Sequence, residues 1–376
     1  MSVEEAERLY RQLSPELQKQ VDELVVKLSS QQAEMINSIQ IKNSPRIVFM
    51  GTPEFAVASL AALVQAGYIV VGVITAPDKP AGRGMRLQES AVKKYAAEHG
   101  LHILQPEKLK NPQFLEELES LKPDLQIVVA FRMLPEVVWN RPPMGTVNVH
   151  GSLLPQYRGA APINWAIING EGETGITTFK LKHEIDTGDV LLQERIAIGE
   201  NESAGELHDR MKEVGAQLLV KTVQGLADGT LKETPQAAIG DGQQAIGNQE
   251  SATSDSELSD THSPLTIHHS PLKHAPKIFT EKCRIDWNKP VVEVHNLIRG
   301  LSPFPGAFTT LKGKTLKIYR SEKEPAQPSA AIGELLTDGK AYLKFACADG
   351  CVVAKELQLE GKKKMSVEEF LRGFRV

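Results

Sequence analysis

The sequence has very little cysteine, no long apolar run and no strong excess of either charge. Its three cysteines, Cys283, Cys347 and Cys351, have neither zinc-ligand nor redox-pair spacing, so we expect reduced thiols in a cytoplasmic protein and no metal site. No stretch approaches the roughly 20 apolar residues of a membrane span, so we expect no association with membranes. The charged N-terminal stretch MSVEEAERLYRQLSPELQ lacks an apolar core, which argues against a secretory signal.

The small net charge is unevenly distributed along the chain. The whole chain carries −4, whereas residues 277–376 contain 18 Lys and Arg against 12 Asp and Glu, so this segment carries +6 and the preceding residues carry −10. A basic C-terminal segment is typical of a protein that binds a polyanion such as nucleic acid. Ordinary variation in charge between domains gives the same count, so both explanations stay open on this observation alone.

Length and changes in composition divide the chain into four parts. A chain of 376 residues exceeds one typical core, so we expect more than one domain. Apolar residues at three- and four-residue steps predict a helical extension in residues 1–44, either packed on another body or mobile. Residues 45–230 alternate β-rich runs with amphipathic helices. Residues 231–276 are rich in Gly, Ser, Gln, Asp and Thr, which predicts a partly flexible linker. Residues 277–376 form short strands punctuated by glycine.

The order of elements predicts the fold class of the two larger parts. The runs PRIVFM, YIVVGVIT, HILQPEKL and LQIVVAFRML alternate with helical segments, which predicts an α/β fold with a doubly wound, mostly parallel sheet. After the first run, Thr52 is expected to cap a helix whose first residue is Pro53. The C-terminal strands predict a small OB-like β-barrel, entered by the helix PVVEVHNLIRGL, and such barrels commonly bind nucleic acid.

Polar groups gather at the end of a later strand, in VNVHGSLLPQYRGAAP (residues 147–162). Asn148 and His150 are two residues apart, so they share one face of the strand and can both reach one substrate atom. Ligands of open α/β sheets bind beyond the carboxyl ends of the strands. An amide and an imidazole suit a carbonyl that becomes an oxyanion, and the imidazole can also move a proton near neutral pH. Taken singly, each residue is more often structural.

An acidic turn follows in HEIDTGDVLLQE, where Asp186 and Asp189 flank Thr187 and Gly188. A carboxylate beside an amide and an imidazole completes a proton-transfer set, because it can orient the imidazole or hold a water that accepts an amine proton. No serine or cysteine stands in a nucleophile elbow. The combination indicates direct transfer of an acyl group from a bound donor to an external nucleophile.

Longer segments resemble the folate-dependent formyltransferases. The matching segments, which cover residues 45–230 closely and 276–376 less closely, are NVHGSLLPQYRGAAPINWAIINGEGETGITTF, EIDTGDVL, MGTPEFAVASL, TAPDKPAGRG and GKKKMSVEEFLRG. The resemblance favours the branch of the family that acts on methionyl-tRNA, and it implies a formyltransferase-like Rossmann variant. It further implies 10-formyltetrahydrofolate as the donor and the amino group of methionine on initiator tRNA as the acceptor. The product would be N-formylmethionyl-tRNA for translation initiation. The resemblance implies neither a metal nor an obligate protein partner for the enzyme.

The resemblance also implies roles for individual residues. Asn148 and His150 would stabilise the oxyanion, and Asp186 would promote proton transfer through water. The pterin pocket would be lined by the AFRML strand end and the GSLLP turn, through Phe131, Arg132, Leu134, Ser152, Leu153, Leu154 and Pro155. The tRNA would contact the loop TAPDKPAGRGMRL and the C-terminal lysine run, through Lys79, Arg83, Arg86, Lys362, Lys363 and Lys364. From its residues alone, that loop fits either a mobile phosphate-binding loop or a solvated surface loop.

Three features depart from the family pattern, and two other function classes stay open. The N-terminal extension is unusual, the linker is long, and AFRML replaces the commoner AYGLIL, in a form closer to the glycinamide ribonucleotide branch. A formyltransferase acting on a sugar nucleotide, or a formyltetrahydrofolate hydrolase domain, would need neither the PAGRG loop nor a basic barrel. A non-catalytic RNA-binding module would keep only a vestigial pocket, and the intact set of Asn148, His150 and Asp186 argues against it.

Overall fold

The computed structural model describes residues 10, 13–14, 16–19, 21–22, 44–81, 86–239, 271–325 and 330–374. Most of the predicted N-terminal extension, the centre of the predicted linker and Arg83 lie outside the described residues. Within the extension, residues 16–19 are helical, and the Ser14 hydroxyl accepts a hydrogen bond from the Leu17 N–H at 3.4 Å. Below, the larger unit means residues 44–239 with 271–276, and the smaller unit means residues 277–374.

A seven-stranded sheet forms the centre of the larger unit. Its strands are β1 (Arg46–Gly51), β2 (Ile69–Ile74), β5 (Ile103–Leu104), β6 (Leu125–Val129), β7 (Thr146–His150), β9 (Glu173–Lys180) and β10 (Val190–Ala197). They lie in the order β10-β9-β7-β6-β1-β2-β5. The five strands from β7 to β5 are parallel, and β9 and β10 extend the sheet as antiparallel strands. The mostly parallel sheet predicted from the sequence is confirmed.

Helices cover both faces of this sheet. They are α1 (Glu54–Gln65), α2 (Ala91–Glu98), α3 (Pro112–Ser120), α4 (Glu136–Trp139), α5 (Pro162–Ile168) and α6 (Ala204–Ala227). Successive residues of a strand point to opposite faces, so Ile47 packs in one apolar cluster with α1 and α6, and Val48 packs in another with α3. Burial on both faces explains why the parallel strands are mostly apolar.

The start of α1 differs from the prediction. Pro53 has extended backbone angles and is itself the N-cap, so the helix begins at Glu54 and Thr52 lies outside it. No side chain caps this helix terminus, and an acid in the first turn, Glu54, favourably faces the helix dipole. The prediction that Thr52 caps the helix was therefore wrong by one residue.

Two short ribbons lie beside the main sheet. β3 (Lys79–Ala81) and β4 (Arg86–Gln88) pair antiparallel, whereas β8 (Arg158–Gly159) and β11 (His274–Ala275) pair parallel. Thr234 also forms a bridge with Val190. Both described ends of the predicted linker, residues 231–239 and 271–276, are therefore attached to the larger unit.

The smaller unit is a curled antiparallel sheet wrapped on a helix. Its elements are α7 (Val291–Gly300), β12 (Ala307–Leu311), β13 (Lys314–Glu324), β14 (Leu335–Thr337), β15 (Leu343–Ala346), β16 (Cys351–Leu359), β17 (Met365–Ser366) and α8 (Val367–Gly373). The strand order is β12-β13-β16-β15-β14, with β17 on β16, and Val294 and Ile298 of α7 fill its core. The predicted small barrel is present as a half-barrel. All three cysteines are buried and free, and burial raises the pKa of Cys347 to about 11.

Polar contacts to main-chain groups join the two units. The Arg299 guanidinium donates hydrogen bonds to the Gly199 and Glu202 carbonyls at 3.1 Å each. The Asn164 amide donates to the Gly300 carbonyl at 2.7 Å. None of the helices in the described part of the chain is long and apolar enough to cross a membrane.

Candidate active site

A cavity of about 870 Å³ opens at the carboxyl ends of β6 and β7. Four loop and strand-end segments form most of its wall: residues 130–136, 148–151, 159–164 and 181–186. This is the edge at which parallel sheets bind ligands. A concave, largely apolar site with a few convergent polar groups is the usual form of a small-molecule site.

The imidazole of His150 is held at the floor of this cavity. Only 6% of His150 is exposed, and its Nε2 lies 2.9 Å from the Tyr157 carbonyl oxygen. A carbonyl can only accept a hydrogen bond, so Nε2 carries a proton in this ring orientation. Nδ1 lies 3.8 Å from Asp186 Oδ2. Nδ1 is therefore the ring nitrogen that is available to a substrate. It carries a lone pair in the neutral ring and a hydrogen-bond donor in the imidazolium.

The Asp186 carboxylate is presented by a strained loop. Asp186 has φ +54°, a left-handed conformation uncommon for a residue with a side chain, and its Oδ2 accepts a hydrogen bond from the Gly159 N–H at 3.0 Å. Two residues later, a Cβ on Gly188 would lie 1.6 Å from the Lys180 carbonyl oxygen. Only glycine fits this approach, which explains the Thr-Gly turn after Asp186.

The side chain of Asn148 supplies a free amide. It is half-buried and lines the cavity, and no other group in the described part of the chain bonds to it. The structure thus brings the three predicted catalytic residues to one cavity, with an amide, an imidazole nitrogen and a carboxylate available. Such a set can stabilise an oxyanion and move a proton.

The residues after β6 occupy the wall where the sequence predicted a pterin pocket. Ala130, at φ +46°, turns the chain at the strand end, and Phe131, Arg132 and Leu134 then line the cavity. The Arg132 guanidinium donates hydrogen bonds to the Glu107 and Pro106 carbonyls and stacks on the Phe131 ring. This wall combines apolar surface with one fixed cation.

The four predicted pocket residues after His150 lie elsewhere. Gly151 lines the cavity, but none of Ser152, Leu153, Leu154 and Pro155 does. The Ser152 hydroxyl is buried and donates to the Gln156 carbonyl, and Leu154, 1% exposed, packs on Phe179 and Val190. The chain turns into the core against β9 and β10 after Gly151, so the GSLLP turn supports the site from behind.

The predicted basic loop is a β-ribbon at its base. Lys79 is exposed on β3 and Arg86 belongs to β4, while Arg83 lies between them outside the described residues. Asp78 anchors the ribbon through an ion pair with Lys93 and a hydrogen bond from Gln105 at 2.9 Å. The Lys93 contact lowers the pKa of Asp78. Of the cations whose side chains the structure describes here, neither Lys79 nor Lys93 lines the cavity.

The predicted C-terminal lysine run forms the exposed turn between β16 and β17. Lys363 pairs with Glu369 at 3.2 Å, and Lys364 pairs with Glu356 at 2.9 Å. Lys362 has no ion-pair partner in residues that the structure describes. The three lysines are thus brought together, but two of their charges are partly neutralised.

The residues that hold this set in place were not predicted from the sequence. Tyr157 and Gly159 bond to His150 and Asp186 and both lie in the quoted stretch QYRGAAP, where an Arg-Gly pair was the available signal. Gln236 bonds to the Asp186 carbonyl from within the predicted linker. Among the described residues, no group of three or more His, Cys, Asp or Glu side chains is placed to hold a metal ion.

Comparison with known proteins identifies relatives along most of the chain. Residues 45–223 match the family model described as formyl transferase, and residues 277–375 match the model of its C-terminal domain. A methionyl-tRNA formyltransferase of Bacteroides fragilis is 51% identical over 338 residues, which are 89% of this chain and 96% of that protein. One from Bacteroides thetaiotaomicron is 50% identical over 343 residues, 89% of this chain and 97% of that protein.

Solved structures share the fold at lower identity. An N-formyltransferase from Helicobacter canadensis, in complex with folinic acid and dTDP-3-aminofucose, has a TM-score of 0.57 at 19% identity and covers 82% of this chain and 98% of its own. HypX from Aquifex aeolicus, in complex with tetrahydrofolic acid, has a TM-score of 0.55 at 19% identity, over 88% of this chain and 48% of its own. With two family models matched in chain order and half of the residues shared with relatives of nearly equal length, the chain belongs to the formyl transferase family.

Proposed function

We propose that this chain transfers the formyl group of 10-formyltetrahydrofolate to the amino group of methionine on initiator tRNA. The observation that carries the proposal is the convergence of Asn148, His150 and Asp186 on one apolar cavity. The substrates are supported by the relatives named methionyl-tRNA formyltransferase, which share about half of their residues with this chain. In this proposal the product serves translation initiation, and the reaction takes place in the cytoplasm.

The cavity fits the donor. Phe131, Leu134 and Trp139 give flat, apolar walls suited to a pterin ring, and a volume of about 870 Å³ lies in the range of small-molecule sites. The donor supplies the formyl group when it is bound. In this proposal the wall after β6 holds the ring, and Arg132 adds a cation at the same side. Residues 152–155 do not line this cavity, so in this proposal they support its wall from behind.

The oxyanion that forms on the formyl oxygen needs preorganised donors. The Asn148 amide is free and lines the cavity, so it can donate without first losing another bond. His150 acts through Nδ1, because Nε2 is occupied by the Tyr157 carbonyl. As an imidazolium it supplies a second donor and a positive charge, and Asp186 at 3.8 Å stabilises that charge.

The carboxylate of Asp186 is assigned the proton transfer from the amine to the folate nitrogen. A bond forms between the amine nitrogen and the formyl carbon, and the bond from that carbon to the folate nitrogen breaks. The amine therefore loses one proton and the folate nitrogen gains one. Asp186 accepts the first proton, through a water, and returns a proton to the leaving nitrogen. No covalent enzyme intermediate is required.

The tRNA is assigned to the basic surfaces outside the cavity. In this proposal residues 45–230 form the catalytic domain and residues 277–376 the tRNA-binding domain, with the linker between them. Lys79 and Arg86 of the ribbon, with Arg83 between them in the sequence, contact the acceptor end, and the turn of Lys362, Lys363 and Lys364 contacts phosphates. The support is the exposure of the described side chains among these residues and the net charge of +6 after residue 276.

A formyl-transfer assay on the full chain tests the proposal. Charged initiator tRNA, charged elongator tRNA, free methionine and an amino-sugar nucleotide are compared as acceptors, with Asp186→Asn as the low-activity control. We expect product only with charged initiator tRNA. Formylation of the sugar nucleotide, or release of formate without any acceptor, would instead place the chain with the other activities of this fold and overturn the proposed substrate.

A further inference from the structure

We infer that Gln236 is a positioning residue for the active site, and that the two described ends of the linker act as a strap around it. The inference rests on the proposed function, in which Asp186 moves the proton. Gln236 is 5% exposed and does not line the cavity, so it touches no reacting atom. Its influence must act through the loop that it holds.

The amide of Gln236 links the loop of Asp186 to Arg158. Its Nε2 donates to the Asp186 carbonyl and to the Gly188 carbonyl, at 2.8 Å each. Its Oε1 accepts from Arg158, at 3.1 Å from Nε and 2.7 Å from Nη2. Both donor hydrogens and both lone pairs of the amide are therefore used. A buried amide so completely satisfied fixes its partners in position.

These bonds close a ring around Asp186. The Gly159 N–H holds the carboxylate of Asp186, and the adjacent residue, Arg158, holds Gln236, which in turn holds the Asp186 carbonyl. The ring thus fixes both the side chain and the backbone of one residue. Asp186 has φ +54°, and a backbone in this region persists only where surrounding contacts hold it. Gln236 bonds on both sides of the turn and supplies such contacts.

The other end of the linker holds the histidine side of the site. The Ala275 carbonyl accepts hydrogen bonds from the Ala160 and Ala161 N–H groups at 2.7 and 3.2 Å, and the Lys273 carbonyl accepts from the Tyr157 N–H at 2.7 Å. Tyr157 is the residue whose carbonyl accepts from His150. A Cβ at Gly159 would lie 2.5 Å from the Ala275 carbonyl oxygen, so the strap requires glycine there. Both halves of the catalytic set are therefore held by linker residues.

A substitution of nearly equal volume tests the role of Gln236. Gln236→Leu removes both donated bonds and the acceptor while leaving the cavity wall unchanged. A misplacement of the order of 1 Å costs up to about 100-fold in rate, so we expect kcat to fall roughly 10- to 100-fold with KM for both substrates within about 3-fold. Arg158→Met, which leaves the two donated bonds of Gln236 intact, should give a smaller fall in kcat.

Gln193 provides a matched control. Its amide also donates two hydrogen bonds, to the Leu154 carbonyl at 2.8 Å and to Thr177 Oγ1 at 2.9 Å, but it does not contact Asp186. Gln193→Leu should lower the melting temperature as Gln236→Leu does, with kcat within about 3-fold of the wild type. A purely structural role of Gln236 predicts equal kcat in the two variants, and that result would overturn the inference.

A double variant separates this inference from the proposed function. In an Asp186→Asn background, Gln236→Leu should cost little more, because both changes remove the same contribution. Losses that simply multiply would contradict the inference, since they would show that Gln236 acts independently of Asp186. Absence of formyl transfer by the wild type would count against the proposed function itself. If Gln236→Leu does not fold, Arg158→Met takes its place. A kcat equal to that of Gln193→Leu would then overturn the inference.

Discussion

Both units of this protein bury a histidine, and the two histidines have opposite surroundings. His150 in the larger unit has a ring nitrogen facing a carboxylate at 3.8 Å and lies on a cavity. His295 in the smaller unit is 1% exposed, and its Nδ1 bonds to the Ser321 hydroxyl at 3.0 Å. Burial, together with Arg299 and Lys323, lowers the pKa of His295 to about 4. Burial alone therefore does not mark a histidine as a catalytic candidate, and the proposal for His150 depends on the facing carboxylate and the cavity.

The two units also place their charge differently. In the larger unit the proposed catalytic groups are held by main-chain atoms, such as the Tyr157 carbonyl and the Gly159 N–H. In the smaller unit the lysine turn is exposed and partly paired with acids. A preorganised site loses activity when one atom is changed, and an exposed basic surface loses affinity in small increments. The following predictions test this difference.

The largest effect is expected from Asp186→Asn. The asparagine keeps the volume and can still accept the hydrogen bond from Gly159 through its amide oxygen, but it cannot accept a proton. We expect kcat to fall by about 10²- to 10⁴-fold, with tRNA affinity unchanged. Single-turnover formylation of charged initiator tRNA measures the first quantity, and equilibrium binding of the same tRNA measures the second. Turnover equal to that of the wild type would remove Asp186 from the reaction.

A smaller loss is expected from Asn148→Ala. This change deletes the free donor at the oxyanion position, and removal of one such donor typically costs about 10²- to 10³-fold in kcat. Because the Asn148 amide has no structural partner in the described part of the chain, the melting temperature should stay close to that of the wild type. A rise in KM for the folate donor with unchanged kcat would show that Asn148 binds the ground state and the transition state equally, and so does not act on the oxyanion in particular.

Local patterns in the sequence predicted which polar residues converge, but not the contacts that hold them in place. The two-residue spacing of Asn148 and His150 fixes a shared strand face, so their convergence followed from local geometry. The inward turn of residues 152–155 depends on β9 and β10, which are antiparallel additions that no local pattern reveals. Gln236 reaches Asp186 across 50 positions of sequence, from a segment whose composition predicted a flexible linker. Both features depend on contacts between segments far apart in the chain, which local sequence patterns do not show.

The same contrast holds for the fold. The alternation of strands and helices predicted the parallel sheet, because burial on both faces leaves a clear apolar pattern. The curled half-barrel was predicted only as a small barrel, since closure depends on pairing between strands far apart in the chain. Thr52 was wrongly predicted as a cap because the sequence does not show whether Pro53 is helical or extended.

The neutral state of His295 predicts a pH dependence of stability. The pKa of His295 is about 4 in the folded protein, against 6.5 as its ordinary value, so between these values only the unfolded chain takes up the proton. This contribution is present above pH 6.5 and is lost as the pH falls toward 4, and it amounts to roughly 2–3 kcal/mol between pH 7 and pH 4.5. His295→Asn should flatten the melting temperature against pH in this window.

The charged neighbours of His295 set its protonation, and an exposed histidine provides the control for that measurement. Arg299 and Lys323 disfavour the imidazolium, whereas Glu200 favours it, and Ser321 bonds to the ring. His102→Asn changes an exposed histidine of the larger unit and should leave the pH profile of the wild type unchanged. If both variants melt with the same pH dependence as the wild type, the burial of His295 does not contribute to acid sensitivity.

The smallest effect is expected from single lysines of the exposed turn. Lys362 lacks an ion-pair partner in the described residues, whereas Lys364 is paired with Glu356 at 2.9 Å. Lys362→Gln should weaken tRNA binding a few-fold and reduce the slope of log affinity against log salt by about 1. Lys364→Gln should change the slope less, because its charge is already partly neutralised, and Lys340→Gln controls for net charge. A slope unchanged in Lys362→Gln would remove this turn from the RNA surface and leave the β3–β4 ribbon as the main phosphate contact.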